Sequence, residues 1–344
     1  MKGGRFDGAD GIRGLACLTV LCTHLPAFFI PEASKYVTGT GKYGVWLFFV
    51  LSAFLLTSKF QRNGFCGGEL LRYALSRCLR ILPLFIVVVL IYWQAGVLIA
   101  TGDDAWRAIS FQEGYGHLWT IPVEFTYYAL LPGVAWAQIR VKQHGGATGV
   151  FLFTLALIVA HQLVWPYWDT AENSIQLRWY LPCFFMGGYV AVSMDAVRTS
   201  VRPGTATLAG LAALLVLLAL TPGGRHWLLG MPFDSWLQNK FVLIGLVWAV
   251  FLAALADGKG LLGAVLQTRG FRLLGAWSYS IYLIHWLVYS KLAALGQGGV
   301  AVALVALAAA VAGGALLYYL IEAPIERLRR GVGGGFRVKQ ASSA

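Results

Sequence analysis

Charge is what this chain of 344 residues has least of: only 12% are Asp, Glu, Lys or Arg, against 58% hydrophobic, and the mean hydropathy is +0.68. That shortage excludes a pair of ordinary soluble domains, in which about a quarter of residues carry charge. It points to an all-α integral membrane protein, because lipid leaves backbone groups no partner outside their own helix. The five cysteines, Cys17, Cys22, Cys66, Cys78 and Cys183, form no CxxC pair, so neither a disulfide framework nor a metal site is implied. No GxxxxGK[ST] phosphate loop, no GxSxG elbow and no internal repeat is present. The first apolar run lacks a small-x-small cleavage site and follows Asp7 and Asp10, so a retained span is expected there and not a signal peptide.

What is present is a series of apolar runs, each approaching the length needed for a hydrocarbon core of roughly 30 Å. Ten are expected to span: 12–30, 43–60, 81–100, 119–139, 148–165, 179–194, 205–220, 241–256, 273–289 and 300–321. With the amino terminus inside, twenty of the 27 basic residues fall in inner segments, leaving Lys35, Lys42, Arg107, Arg178, Arg225, Lys240 and Lys291 outside. Ten spans with both termini cytoplasmic follow, as one transmembrane unit over 1–330 and a Gly-rich, disordered cytoplasmic tail over 331–344. The net charge of +12 is spread over every inner loop, which favours topology and membrane-lipid contact over nucleic acid.

Ionisable residues inside spans are functional candidates, since burying them costs several kcal/mol. Here they form two layers. At the cytoplasmic ends lie Asp10 and Arg13, three apart; Arg77 and Arg80, also three apart, pressed against the apolar run in SRCLRILPLF; and Glu322 before Pro324. Residues i and i+3 share a helix face, so Arg77 and Arg80 present two guanidinium forks suited to a diphosphate. The same arginines also suit a positive-inside loop, and Glu322 also suits an ion pair with Arg13 or Arg80.

The outer layer carries the acid–base groups. His24 lies eleven residues after Arg13, which puts both on one stripe about 16 Å apart. Glu124, five residues into a span descending from outside, and His285 in SYSIYLIHW are expected at the same depth, with Tyr282 beside them and His117 nearer the surface. A neutral imidazole at that level can take the proton of a hydroxyl attacking a carbonyl, and a carboxylate can orient the imidazole or hold the acceptor. His144, His161 and His226 have no such company and are read as structural.

Six segments in order, RFDGADGIRGLA with His24, GVWLFFVLSAFLL, SRCLRILPLF, GHLWTIPVEFTYYALLP, WSYSIYLIHW and IEAPIER, span residues 5–327. Together they resemble the acyltransferase 3 family of bacterial membrane O-acyltransferases. Where the family has FFxLSGFLL this chain has Ala53 in the glycine position, a packing site. The resemblance implies an O-acyltransferase of the bacterial inner membrane, in stand-alone form without an SGNH-type domain. Its donor is a cytoplasmic acyl-coenzyme A, by default acetyl-coenzyme A, and its acceptor a hydroxyl of a glycan or lipid-linked glycan. His24 and Glu124 then carry catalysis, and Arg13, Arg77 and Arg80 hold the donor. Asp10, His117, Tyr282, His285 and Glu322 support the site, and no metal is required. The alternatives are a transporter or flippase of a glycan or anionic precursor, against which no inverted repeat or paired broken helix is seen, and a membrane protein that binds acyl-coenzyme A without turnover.

Overall fold

A computed structural model describes residues 6–328. Arg5, the basic residues beyond 328 and the tail expected to be disordered lie outside the described residues. The described chain is helical, without strands: α1 (Ala9–Phe29), α2 (Pro31–Val37), α3 (Gly41–Asn63), α4 (Gly67–Ala95), α5 (Gly102–Ile109), α6 (Thr120–Val164), α7 (Leu177–Ser200), α8 (Pro203–Leu220), α9 (Pro222–Leu229), α10 (Phe241–Leu255), α11 (Gly260–Leu266), α12 (Arg269–Ala293) and α13 (Val300–Leu317). A wide π-type turn, Tyr318–Glu322, continues α13.

All ten apolar runs fall on helices, with different boundaries. The fourth and fifth runs lie on the two helical halves of α6, which is broken at Gly146 (φ 64, ψ −156). Only glycine adopts that region at little cost. The third run begins fourteen residues late: α4 starts at Gly67, so Arg72, Arg77 and Arg80 lie on helix and not in a loop. By length and apolarity seven helices can cross a membrane, and α10 with α11, bent by 94°, makes an eighth. The helix α12 falls short because Ser278, Ser280, Tyr282 and His285 lower its hydropathy, yet these side chains are buried in protein.

The site is positioned by α1, wedged between α12 and α3. Small residues make the wedge possible, because helices in lipid associate through close backbone approach. A Cβ on Gly14 would lie 2.3 Å from the Phe271 carbonyl oxygen, one on Gly275 1.8 Å from that of Asp10, and one on Gly44 2.3 Å from that of Ala16. The face of α1 between Arg13 and His24 is consequently packed solid, with Ala16, Cys17, Val20 and Leu21 all within 1% of full burial.

Candidate functional site

A cavity of about 380 Å³ opens among α1, α3, α4, α6, α12 and the π-type turn. Arg13, Arg77 and Arg80 all line it, so the i, i+3 spacing on α4 does place two guanidinium groups in one chamber with a third from α1. Arg80 forms an ion pair of 2.7 Å with Glu322, which also accepts from Ser280 Oγ at 2.8 Å. The π-type turn widens the end of α13 where Glu322 enters the bundle, and such turns recur at functional sites. Arg13 pairs with Asp10 at 3.8 Å. Arg77 lies 5.6 Å from the Tyr128 ring centre, its Nε is buried without a hydrogen bond, and among the described residues no carboxylate pairs with it. Arg72, by contrast, is held by Glu69 at 2.6 Å and stays out of the cavity.

Glu124 lines the same cavity, not the histidine layer. Its Oε1 accepts from Ser52 Oγ at 2.8 Å and from Tyr128 OH at 2.5 Å, while Oε2 has no hydrogen-bond partner among the described residues. No hydrogen bond joins Glu124 to His24, so orientation of the imidazole falls to another residue. Sequence reasoning missed Ser52 and Tyr128. Tyr128 carried a signal, being four residues from Glu124 on one helix face; Ser52 carried none in a run read as packing.

The three histidines do come together. His24 Nδ1 lies 3.1 Å from His285 Nε2, and the two rings stack at 5.3 Å. His285 Nδ1 lies 2.7 Å from the Tyr282 carbonyl oxygen, which can only accept. With both rings neutral, Nδ1–H of His285 donates to that carbonyl and its Nε2 accepts from Nδ1–H of His24. The lone pair of His24 is thereby left on Nε2. Trp286 closes over His24 edge-on at 5.2 Å. His117 sits 4.7 Å from the His285 ring, its Nε2 donates to the Leu283 carbonyl at 3.2 Å, and its Nδ1 is buried without a partner. His161 and His226 contact the carbonyls of Arg178 and Met231, away from this cluster. Among the described residues no group of three or more His, Cys, Asp and Glu side chains is arranged to hold a metal ion.

Between cavity and histidines stands Tyr282. Its hydroxyl donates to the His117 carbonyl at 2.6 Å and accepts from Thr120 Oγ1 at 3.1 Å, and its ring meets Phe48 edge-on at 6.3 Å. The one residue of α1 in the lining is Arg13, whereas α3 supplies Val45, Phe48, Phe49, Ser52 and Leu55. The cavity therefore extends along α3 and not along the α1 stripe that joins Arg13 to His24, and no histidine is among its lining residues.

Three arginines thus line one cavity, and His24 lies eleven residues, about 16 Å, further along α1 from Arg13. A family model described as an acyltransferase domain matches residues 6–319. Curated relatives include the O-acetyltransferase OatA of Staphylococcus aureus strain NCTC 8325 / PS 47 and that of strain COL, each 24% identical over 319 residues, covering 82% of this chain and 50% of the relative. The chain thus spans about half the length of the curated relatives it matches. No solved structure matches it. The chain belongs to the acyltransferase 3 family, and seven of its described helices are long and apolar enough to cross a membrane.

Proposed function

We propose that the protein is an O-acyltransferase of the bacterial inner membrane that moves an acyl group, acetyl by default, from cytoplasmic acyl-coenzyme A to a hydroxyl of a glycan or glycoconjugate on the far side. In this reading the ten apolar runs are ten crossings with both termini in the cytoplasm, which the distribution of Lys and Arg supports. The donor phosphates meet Arg77, Arg80 and Arg13, and the pantetheine arm runs along α3. Glu124 Oε2 remains to accept from a donor amide N–H or to hold the acceptor.

At the outer end His24 Nε2 takes the proton of the acceptor hydroxyl as its oxygen attacks the thioester carbonyl. The C–S bond breaks, the thiolate leaves and recovers the proton as coenzyme A, and the ester remains on the glycan. A variant in which Nε2 is itself transiently acylated uses the same lone pair. The observation that carries the proposal is the chain Tyr282 carbonyl, His285, His24, because it leaves the basic nitrogen of His24 unengaged.

The test uses purified protein with labelled acetyl-coenzyme A and a panel of glycans. Coenzyme A release is expected only with a suitable acceptor. His24→Ala is expected to abolish release, and Arg77→Ala with Arg80→Ala to weaken coenzyme A binding by more than about tenfold, which is 1.4 kcal/mol. Release that survives in His24→Ala contradicts the proposal. Movement of glycan across vesicles without coenzyme A release establishes a transporter instead.

A further inference from the structure

The face of α3 that lines the cavity continues past it. One turn outward from Val45 stands Gly41, the first residue of α3. A Cβ built on Gly41 would sit 2.8 Å from His24 Nε2, 3.3 Å from His24 Cε1 and 3.3 Å from Thr23 Oγ1. Nε2 is the nitrogen that the His285 chain leaves basic. Among the described residues it makes no hydrogen bond.

The usual reasons for a glycine do not apply here. Gly41 is not at positive φ, so the backbone accepts an L side chain without strain, and alanine is the better helix former. Nor does a Cβ meet backbone, as it would at Gly44, where the Ala16 carbonyl oxygen lies 2.3 Å away. It meets the imidazole edge, and that ring is not free to turn aside: Nδ1 is bonded to His285 and Trp286 packs against it. The physical effect of a side chain at position 41 is to occupy the ground beside Nε2.

We propose that Gly41 determines acceptor access: its missing side chain leaves the opening through which the reacting hydroxyl reaches His24 Nε2, so residue 41 sets how bulky an alcohol is acylated. The inference rests on the proposed transfer reaction. The reaction is unchanged by it; proton, oxygen and thiolate move as described above. What Gly41 adds is selection among nucleophiles by size, at a point separate from donor binding, since the arginines lie at the other end of the passage.

The test is Gly41→Ala in the full chain, with Gly44→Ala as a packing control. Melting temperature, coenzyme A binding, and acyl transfer to hydroxylamine and to a benzyl glycoside are measured. Gly41→Ala is expected to stay folded, with a slightly lowered melting temperature as the first turn of α3 gives by a few tenths of an ångström, and to bind coenzyme A within about twofold. Its transfer to the glycoside should fall by about a hundredfold or more while transfer to hydroxylamine falls by less than about tenfold. Gly44→Ala, whose Cβ meets backbone, should lower the melting temperature much further. Wild-type-like transfer to the glycoside, or an equal loss for both nucleophiles in a protein of normal stability, overturns the inference alone; equal loss would mean the imidazole had moved. A wild type that transfers to neither nucleophile overturns the proposed function, and the inference with it.

Discussion

An imidazole in a membrane helix is a base only if one nitrogen is kept without a proton and facing the reactants. For His24 that condition is met from outside its own helix, by His285 and the Tyr282 carbonyl. His285→Leu removes the acceptor for His24 Nδ1–H and lets the ring adopt the wrong tautomer, so kcat should fall by about tenfold to a hundredfold with little change in coenzyme A binding. His285→Gln restores an acceptor near the position of Nε2 and should recover part of that loss; equal losses in the two variants would contradict a positioning role. The meeting of His24 and His285 was legible in the sequence, because helical rise converts residue number into depth; His117 was expected nearer the surface and instead joins them, 4.7 Å from the His285 ring. The partners of Glu124 were not, because its depth was misjudged: His117 already lies at the histidine level, and Glu124, seven residues further on, bonds Ser52, about 16 Å along α3 from the Gly41 that faces His24. Glu124 was expected beside His24 and instead lies with Ser52 and Tyr128 in the arginine chamber.

Among the elements, α4 and the end of α13 are tied by the Arg80–Glu322 pair, in which the carboxylate side chain is only 4% exposed. Arg80→Met leaves that carboxylate with Ser280 alone and should cost about 3 kcal/mol of stability, the lower end for breaking a buried pair because Arg80 is partly exposed. Arg80→Met combined with Glu322→Leu should recover much of it in the same thermal unfolding measurement, and additive losses would show that the two do not act as a pair. At the bend of α6, Gly146 has open space around it, so Gly146→Ala tests backbone conformation alone and should destabilise by about 1–3 kcal/mol. A more stable Gly146→Ala protein would contradict the strained geometry. The apolar runs themselves could be read from composition, since lipid imposes helix on any run that long. The start of α4 at Gly67 could not, because a basic helix end and a basic inner loop have the same composition. The break in α6 at Gly146 falls where the pair Gly145 and Gly146 reads as a connection between two spans.

On the scale of the whole molecule, the proposed transfer joins two layers, an arginine-lined cavity and a histidine cluster. The arginines of α1 and α4 gather at one end, and His24, His117 and His285 at the other, with Tyr282 and Phe48 between them. Close packing of α1 against α12 and α3 fills the α1 stripe, so the proposed route follows the face of α3, from Ser52 through Val45 in the cavity lining to Gly41 beside His24. The most direct measurement of this claim is sided acyl transfer in proteoliposomes of oriented protein, with acetyl-coenzyme A supplied to one face and acceptor glycan to the other. The account predicts transfer when the donor is on the face of Arg77 and Arg80 and the acceptor on the face of His24, no transfer with the two reversed, and none in either arrangement for His24→Ala. Equal transfer from both arrangements, or transfer that survives the loss of His24, would contradict it.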